Sequence, residues 1–188
     1  MKCIIVHGCP PNTEKFMGPE ARTYDKHWIP WIKEQLNAKS INIKTPLMPD
    51  PWEPNYESWK KIIDELDVNE ETVLIGHSCG GGFLVRYLGE TKKKVKKLIL
   101  IAPAIIHSRE YKPLNDLLKF EINPEVKNLT NDIVIFVSDN DSKGIIKSAE
   151  IFSQTLDCRV KEFKGYGHFT QDDMGTIEFP ELLTEIIN

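Results

Sequence analysis

Short apolar runs alternate with amphipathic stretches along the chain. Cys3 to Val6, Ile41 to Thr45, Thr72 to Ile75, Lys97 to Ile101, Ile133 to Val137 and Arg159 to Phe163 carry β-branched or aliphatic residues between polar or turn-forming ones, which predicts six short strands. Between them the apolar spacing changes to three and four. Trp28, Ile32 and Leu36, then Tyr56, Trp59, Ile63 and Leu66, then Leu84, Val85 and Leu88 each predict one buried helical stripe. Two more helices are expected over Ile145 to Leu156 and from Pro180, with Leu182, Leu183, Ile186 and Ile187 facing inward. Asn55 stands where the second helix needs a cap, and Pro46, Pro49, Pro51 and Pro54 exclude regular structure before it.

This alternation argues for an α/β fold, with about six parallel strands covered by helices on both faces, because strand-helix-strand crossovers are right-handed and return the chain parallel. In such sheets the chemistry gathers at the carboxyl ends of the strands. The segment 103–131 shows no strand pattern, but Leu114, Leu117, Leu118 and Ile122 mark an amphipathic helix. It is a small cap over that rim or a further piece of core. A long loop rich in glycine, proline and polar residues follows the first strand, up to about Asp25.

The third strand stops at Gly76-His77-Ser78-Cys79-Gly80 and opens into a helix. Glycines two residues either side of Ser78 suit a strand that reverses sharply, where a Cβ would strike neighbouring backbone. This G-x-S-x-G pattern is a nucleophile elbow, which presents a strained serine at the sheet's rim and at the positive end of the following helix. Neither a G-x-G-x-x-G dinucleotide turn nor a phosphate loop ending in G-K-[ST] is present, and no cofactor is expected.

A serine hydroxyl needs a base to accept its proton and a carboxylate to orient that base. Ser138-Asp139-Asn140-Asp141 follows the fifth strand and Gly165-Tyr166-Gly167-His168 the sixth, giving the α/β-hydrolase order Ser, Asp, His. His168 is therefore the expected base. His7 and His77 fall at the same rim and can shape the site, whereas His27 and His107 read as ordinary helix or loop residues. Asp141, three residues past Ser138, is the favoured acid. Asp139 is the alternative, and would otherwise shape the turn. Asp172 and Asp173 follow His168 too closely. The oxyanion donors expected from this geometry are the backbone N–H groups of Cys79, after the nucleophile, and of Cys9, in the first strand's loop.

Composition narrows the setting. The 188 residues suit a single domain over 1–188, able to bury about 70% of its unfolded surface without disulfides or metals. A net charge of −4 gives no broad field for nucleic acid or an anionic membrane, and the lysines at 92, 93, 94, 96 and 97 read as a solvated turn. No apolar run reaches membrane-spanning length. The four cysteines, Cys3, Cys9, Cys79 and Cys158, lack zinc-site spacing and suit a reducing cytoplasm. Cys9 and Cys79 fall at one rim, however, so they are also a candidate redox pair.

The chain resembles the YdeN-like small serine hydrolases, the family that also contains the retinoblastoma-binding serine hydrolase. The likeness covers nearly the full length. It rests on Ile-Val-His-Gly at 5–8, His27-Trp28-Ile29-Pro30-Trp31, the Gly76-His77-Ser78 elbow and Gly167-His168-Phe169. It implies a minimal α/β-hydrolase fold without a large lid, and a triad on Ser78, Asp141 and His168. One departure is Gly144-Ile145, where the acid turn of the family ends in a hydrophobic residue and proline. The expected activity is hydrolysis of small carboxylic esters or thioesters through an acyl-serine. The competing expectation is a binding or regulatory protein that keeps the fold and holds a protein partner.

Overall fold

The computed structural model describes residues 1–106 and 111–188. Six strands, β1 (Lys2–Val6), β2 (Asn42–Lys44), β3 (Thr72–His77), β4 (Lys97–Ile101), β5 (Ile133–Ser138) and β6 (Arg159–Phe163), form one sheet in the order β2-β1-β3-β4-β5-β6. Every pairing is parallel. β1, β3, β4 and β5 are buried almost throughout, as strands covered on both faces must be. β6 lies at one edge with mostly exposed residues, and its Arg159 and Lys161 discourage further pairing.

The helices are α1 (Ile29–Ala38), α2 (Tyr56–Asp64), α3 (Cys79–Thr91), α4 (Lys112–Leu118), α5 (Lys143–Leu156), α6 (Gln171–Met174) and α7 (Pro180–Ile187). The chain runs from β1 through α1 outward to β2, then returns to β3 and proceeds through α3 the other way to β4. Right-handed crossovers in opposite directions put α1 and α3 on opposite faces. Trp28, ahead of α1, packs edge-on against Phe179, ahead of α7, while Trp59 and Tyr56 of α2 pack against Phe83 of α3. The strand order reverses between β1 and β3, so the connections diverge there and leave a crevice beyond their carboxyl ends.

Several expectations shift. Trp28 caps α1 rather than lying within it, because His27 before it takes a positive φ of 45°. Asn55 caps α2 as expected, accepting from the Ser58 N–H at 3.0 Å. The long loop after β1 contains two 3₁₀ turns, Asn12–Phe16 and Pro19–Ala21. α4 stops at Leu118, so Ile122 falls outside it, before a further 3₁₀ turn at Pro124–Leu129. His107 lies outside the described residues, as does part of the segment 103–131. Lys97 does not belong to the solvated lysine turn: it is 8% exposed and meets Glu185 at 3.0 Å and Asp132 at 3.5 Å. A strand's first residue cannot reach water here once α7 covers it, so its ammonium is paired instead.

Candidate active site

The elbow is built where β3 becomes α3. Ser78 has φ 54° and ψ −122°, a conformation that persists only when its surroundings fix it. Its N–H donates to the Ile101 carbonyl at 2.9 Å, and its carbonyl accepts from Ala104 and Gly81 at 3.0 Å each. The flanking glycines are obligatory: a Cβ on Gly76 would lie 2.6 Å from Gly81 Cα, and one on Gly80 2.5 Å from the His7 carbonyl oxygen. Ser78 stands at the cap position of α3 without spending its hydroxyl on the cap.

That hydroxyl instead lies 2.8 Å from Nε2 of His168, whose Nδ1 is 2.8 Å from Asp141 Oδ2. The carboxylate can only accept, so Nδ1 carries the proton and Nε2 accepts from the serine. Asp141 Oδ1 accepts from the Ser142 N–H at 2.6 Å, which holds its second oxygen. Asp139 is turned elsewhere and accepts from the Gly165 N–H at 2.9 Å.

The loop bearing His168 is held along its length. Gly165 donates to Asp139, Tyr166 to Ser138 Oγ at 2.9 Å, Gly167 to Asn140 Oδ1 at 2.8 Å, and His168 itself to Asp173 Oδ2 at 2.9 Å. Four consecutive amides thus end on side chains, three of them in the turn that supplies Asp141. Asp173 is available because Thr170 caps the short α6. The pattern Thr170-x-x-Asp173 is a helix-start signal legible in the sequence.

Two more histidines pack against this loop and its continuation, and a third, His7, lies in the turn after β1. His77 is buried and its Nε2–H donates to the His168 carbonyl at 2.8 Å, with the two rings 5.2 Å apart. Burial, with His168 beside it, pushes its pKa well below the usual histidine value. His27 is no ordinary loop residue, since its Nδ1 accepts from the Gln171 N–H at 3.1 Å and its ring meets His77; burial lowers its pKa. His7 Nε2 accepts from the Met48 N–H at 2.9 Å, so Nδ1 carries the proton and donates to the Gly8 carbonyl at 2.8 Å. That bond fixes the peptide plane between Gly8 and Cys9, and with it the direction of the Cys9 N–H.

Cys9 and Cys79 do not remain thiols: they form a disulfide, with Cα atoms 5.9 Å apart. Cys3 and Cys158 are free. A cavity of about 290 Å³ opens over Ser78 and His168, walled by the disulfide, by Ala104, Leu114, Leu118 and Ile145, and by Asp141 and Ser142. Among the described residues no group of three or more histidine, cysteine or acidic side chains could hold a metal ion, and no helix is long and apolar enough to cross a membrane.

The sequence model of the serine hydrolase family matches residues 20–186. The protein YdeN of Bacillus subtilis (strain 168) is 24% identical over 153 residues, 78% of this chain and 80% of its own. The crystal structure of the B. subtilis ydeN gene product matches with a TM-score of 0.84 at 20% identity, covering 100% of this chain and 97% of that one. Est1E from Butyrivibrio proteoclasticus, solved with ferulic acid bound, matches with a TM-score of 0.69 at 15% identity, covering 98% and 87%. These likenesses establish the α/β-hydrolase fold.

Proposed function

Because the chain belongs to the serine hydrolase family, we propose that it hydrolyses small carboxylic esters or thioesters through an acyl-serine on Ser78, with His168 as base and Asp141 as its orienting acid. The observation that carries this reading is the unbroken relay of Asp141 Oδ2, His168 Nδ1, His168 Nε2 and Ser78 Oγ, with 2.8 Å at each bond. The oxygen of Ser78 attacks the substrate carbonyl carbon while its proton passes to Nε2 of His168. The backbone N–H groups of Cys9 and Cys79 receive the developing oxyanion. Collapse expels the alcohol or thiol, which takes the proton from His168, and water repeats the sequence to release the acid.

The substrate's acyl part has an apolar wall of Ala104, Leu114, Leu118 and Ile145 to lie against. α4 supplies two of these side chains, so we read the segment 103–131 as a small cap within one domain spanning 1–188. A cavity of about 290 Å³ is at the small end for ligand sites, which favours short acyl groups. The unpaired thiols of Cys3 and Cys158 suit a cytoplasmic setting, whereas the Cys9–Cys79 disulfide suits an oxidising one or a redox-responsive bond within the cytoplasm.

Ser78→Ala tests the reading. It should abolish turnover of short p-nitrophenyl esters and labelling by a fluorophosphonate, with the fold unchanged by circular dichroism. Retained turnover in that variant would falsify it.

A further inference from the structure

The disulfide joins the two residues whose N–H groups are assigned to the oxyanion hole, across 70 positions of sequence. Resting on the hydrolase reading above, we propose that the Cys9–Cys79 disulfide clamps the oxyanion hole, and that a dithiol reductant lowers turnover by opening it.

The bond adds little to the fold's connectivity. β1 and β3 are already neighbours, paired from Lys2 with Thr72 to Val6 with Gly76, so the chain segments carrying the two cysteines meet without it. What it adds is local. Cys79 is the first residue of α3 and is fixed by the helix and the elbow. Cys9 lies in irregular backbone between β1 and the 3₁₀ turn at Asn12–Phe16. His7 holds the peptide plane on the amino side of Cys9, and the disulfide holds its Cα on the other. A donor fixed at both ends needs no reorganisation as the oxyanion forms.

The clamp can be reached. Cys9 is half-buried and both cysteines wall the cavity. A thiolate of the reductant attacks one protein sulfur, forming a mixed disulfide and releasing the other as a thiolate. The reductant's second thiol then displaces the first sulfur and closes its own disulfide. Two electrons and two protons pass from the dithiol to the protein. The remaining cysteines stay out of this exchange: burial pushes the thiols of both Cys3 and Cys158 up to about 11, so they remain protonated and unreactive.

The test compares the full chain oxidised with glutathione disulfide and reduced with dithiothreitol. The reductant is removed anaerobically before assay on p-nitrophenyl acetate, because it attacks the ester itself. Mass spectrometry follows the bond, and circular dichroism follows the fold. Loosening a donor rather than deleting it should lower kcat about tenfold, with KM changed by less than about twofold. Reoxidation should restore the rate. The Cys9→Ser, Cys79→Ser double variant should show the reduced enzyme's kcat in both buffers, folded.

Equal kcat in the two redox states overturns the clamp alone. A loss of rate that appears only with loss of the circular dichroism signal also overturns it, and makes the bond a staple of the fold. An oxidised wild type that turns over no ester and takes no fluorophosphonate at Ser78 overturns the hydrolase reading and the clamp with it.

Discussion

Acidification should destabilise this protein through His7 well before its carboxylates titrate fully. The ring is 2% exposed, its Nδ1–H is committed to the Gly8 carbonyl, and its Nε2 already accepts from the Met48 N–H. A second proton would face that N–H donor in a buried site, and burial lowers the pKa from 6.5 to about 4. Below pH 6.5 the unfolded chain binds a proton that the native ring refuses until about pH 4. The unfolded state therefore gains, and stability is lost as pH falls through that window. The full loss is about 3 kcal/mol, with about 2 kcal/mol of it appearing between about pH 7 and pH 4.5. That is a sizeable share of a typical domain's 5–15 kcal/mol. Urea unfolding followed by circular dichroism at the two pH values, on wild type and His7→Gln, isolates the effect. The variant should be weaker at pH 7 but lose about 2 kcal/mol less on acidification. His77, whose pKa is displaced in the same direction, acts in both proteins and cancels in the difference. Parallel pH dependences in the two would refute the argument.

Two further outcomes follow from contacts away from the reacting atoms. Asn140 Oδ1 accepts from both the Gly167 N–H and the Ser138 hydroxyl, so Asn140→Ala should free the His168 loop and lower kcat about tenfold. Asn140→Asp should recover most of that loss, and steady-state kinetics on one ester checks both. At the opposite end of the sheet, burial works to raise the Glu185 pKa, but hydrogen bonds from Lys161, Lys97 and Arg159 outweigh it and hold it at about 2. Glu185→Ala leaves the buried Lys97 ammonium with the main-chain carbonyl of residue 185 at 2.9 Å and, as its one remaining carboxylate, Asp132 at 3.5 Å, and should cost about 2 kcal/mol in urea unfolding without changing kcat.

What could be read from the chain divides along physical lines. Strand positions and the elbow were legible because both depend on near neighbours in sequence: β4 and β6 coincide with the expected segments, and Gly76 and Gly80 mark a turn no Cβ tolerates. Capping shows how far such local signals reach. Asn55 was recognisable, but Thr170-x-x-Asp173 passed unused, although the same carboxylate then holds the His168 N–H.

The choice between Asp139 and Asp141 was open for a different reason. Both lie in one turn, and only the parallel register of β5 with β6, which sets Ser138 beside Phe163, brings Asp139 to Gly165 and leaves Asp141 facing the imidazole. Lys97 was misread because nothing near it in sequence announces that α7 will cover it with Glu185. The disulfide is the sharpest case: sequence could bring Cys9 and Cys79 to one rim, but a bond requires Cα atoms about 6 Å apart with converging Cβ atoms. That separation follows from the loop after β1 and the first turn of α3 leaving adjacent strands at one rim, so the covalent feature nearest the chemistry is a property of the sheet's topology. Periodicity along the chain has no means of encoding it.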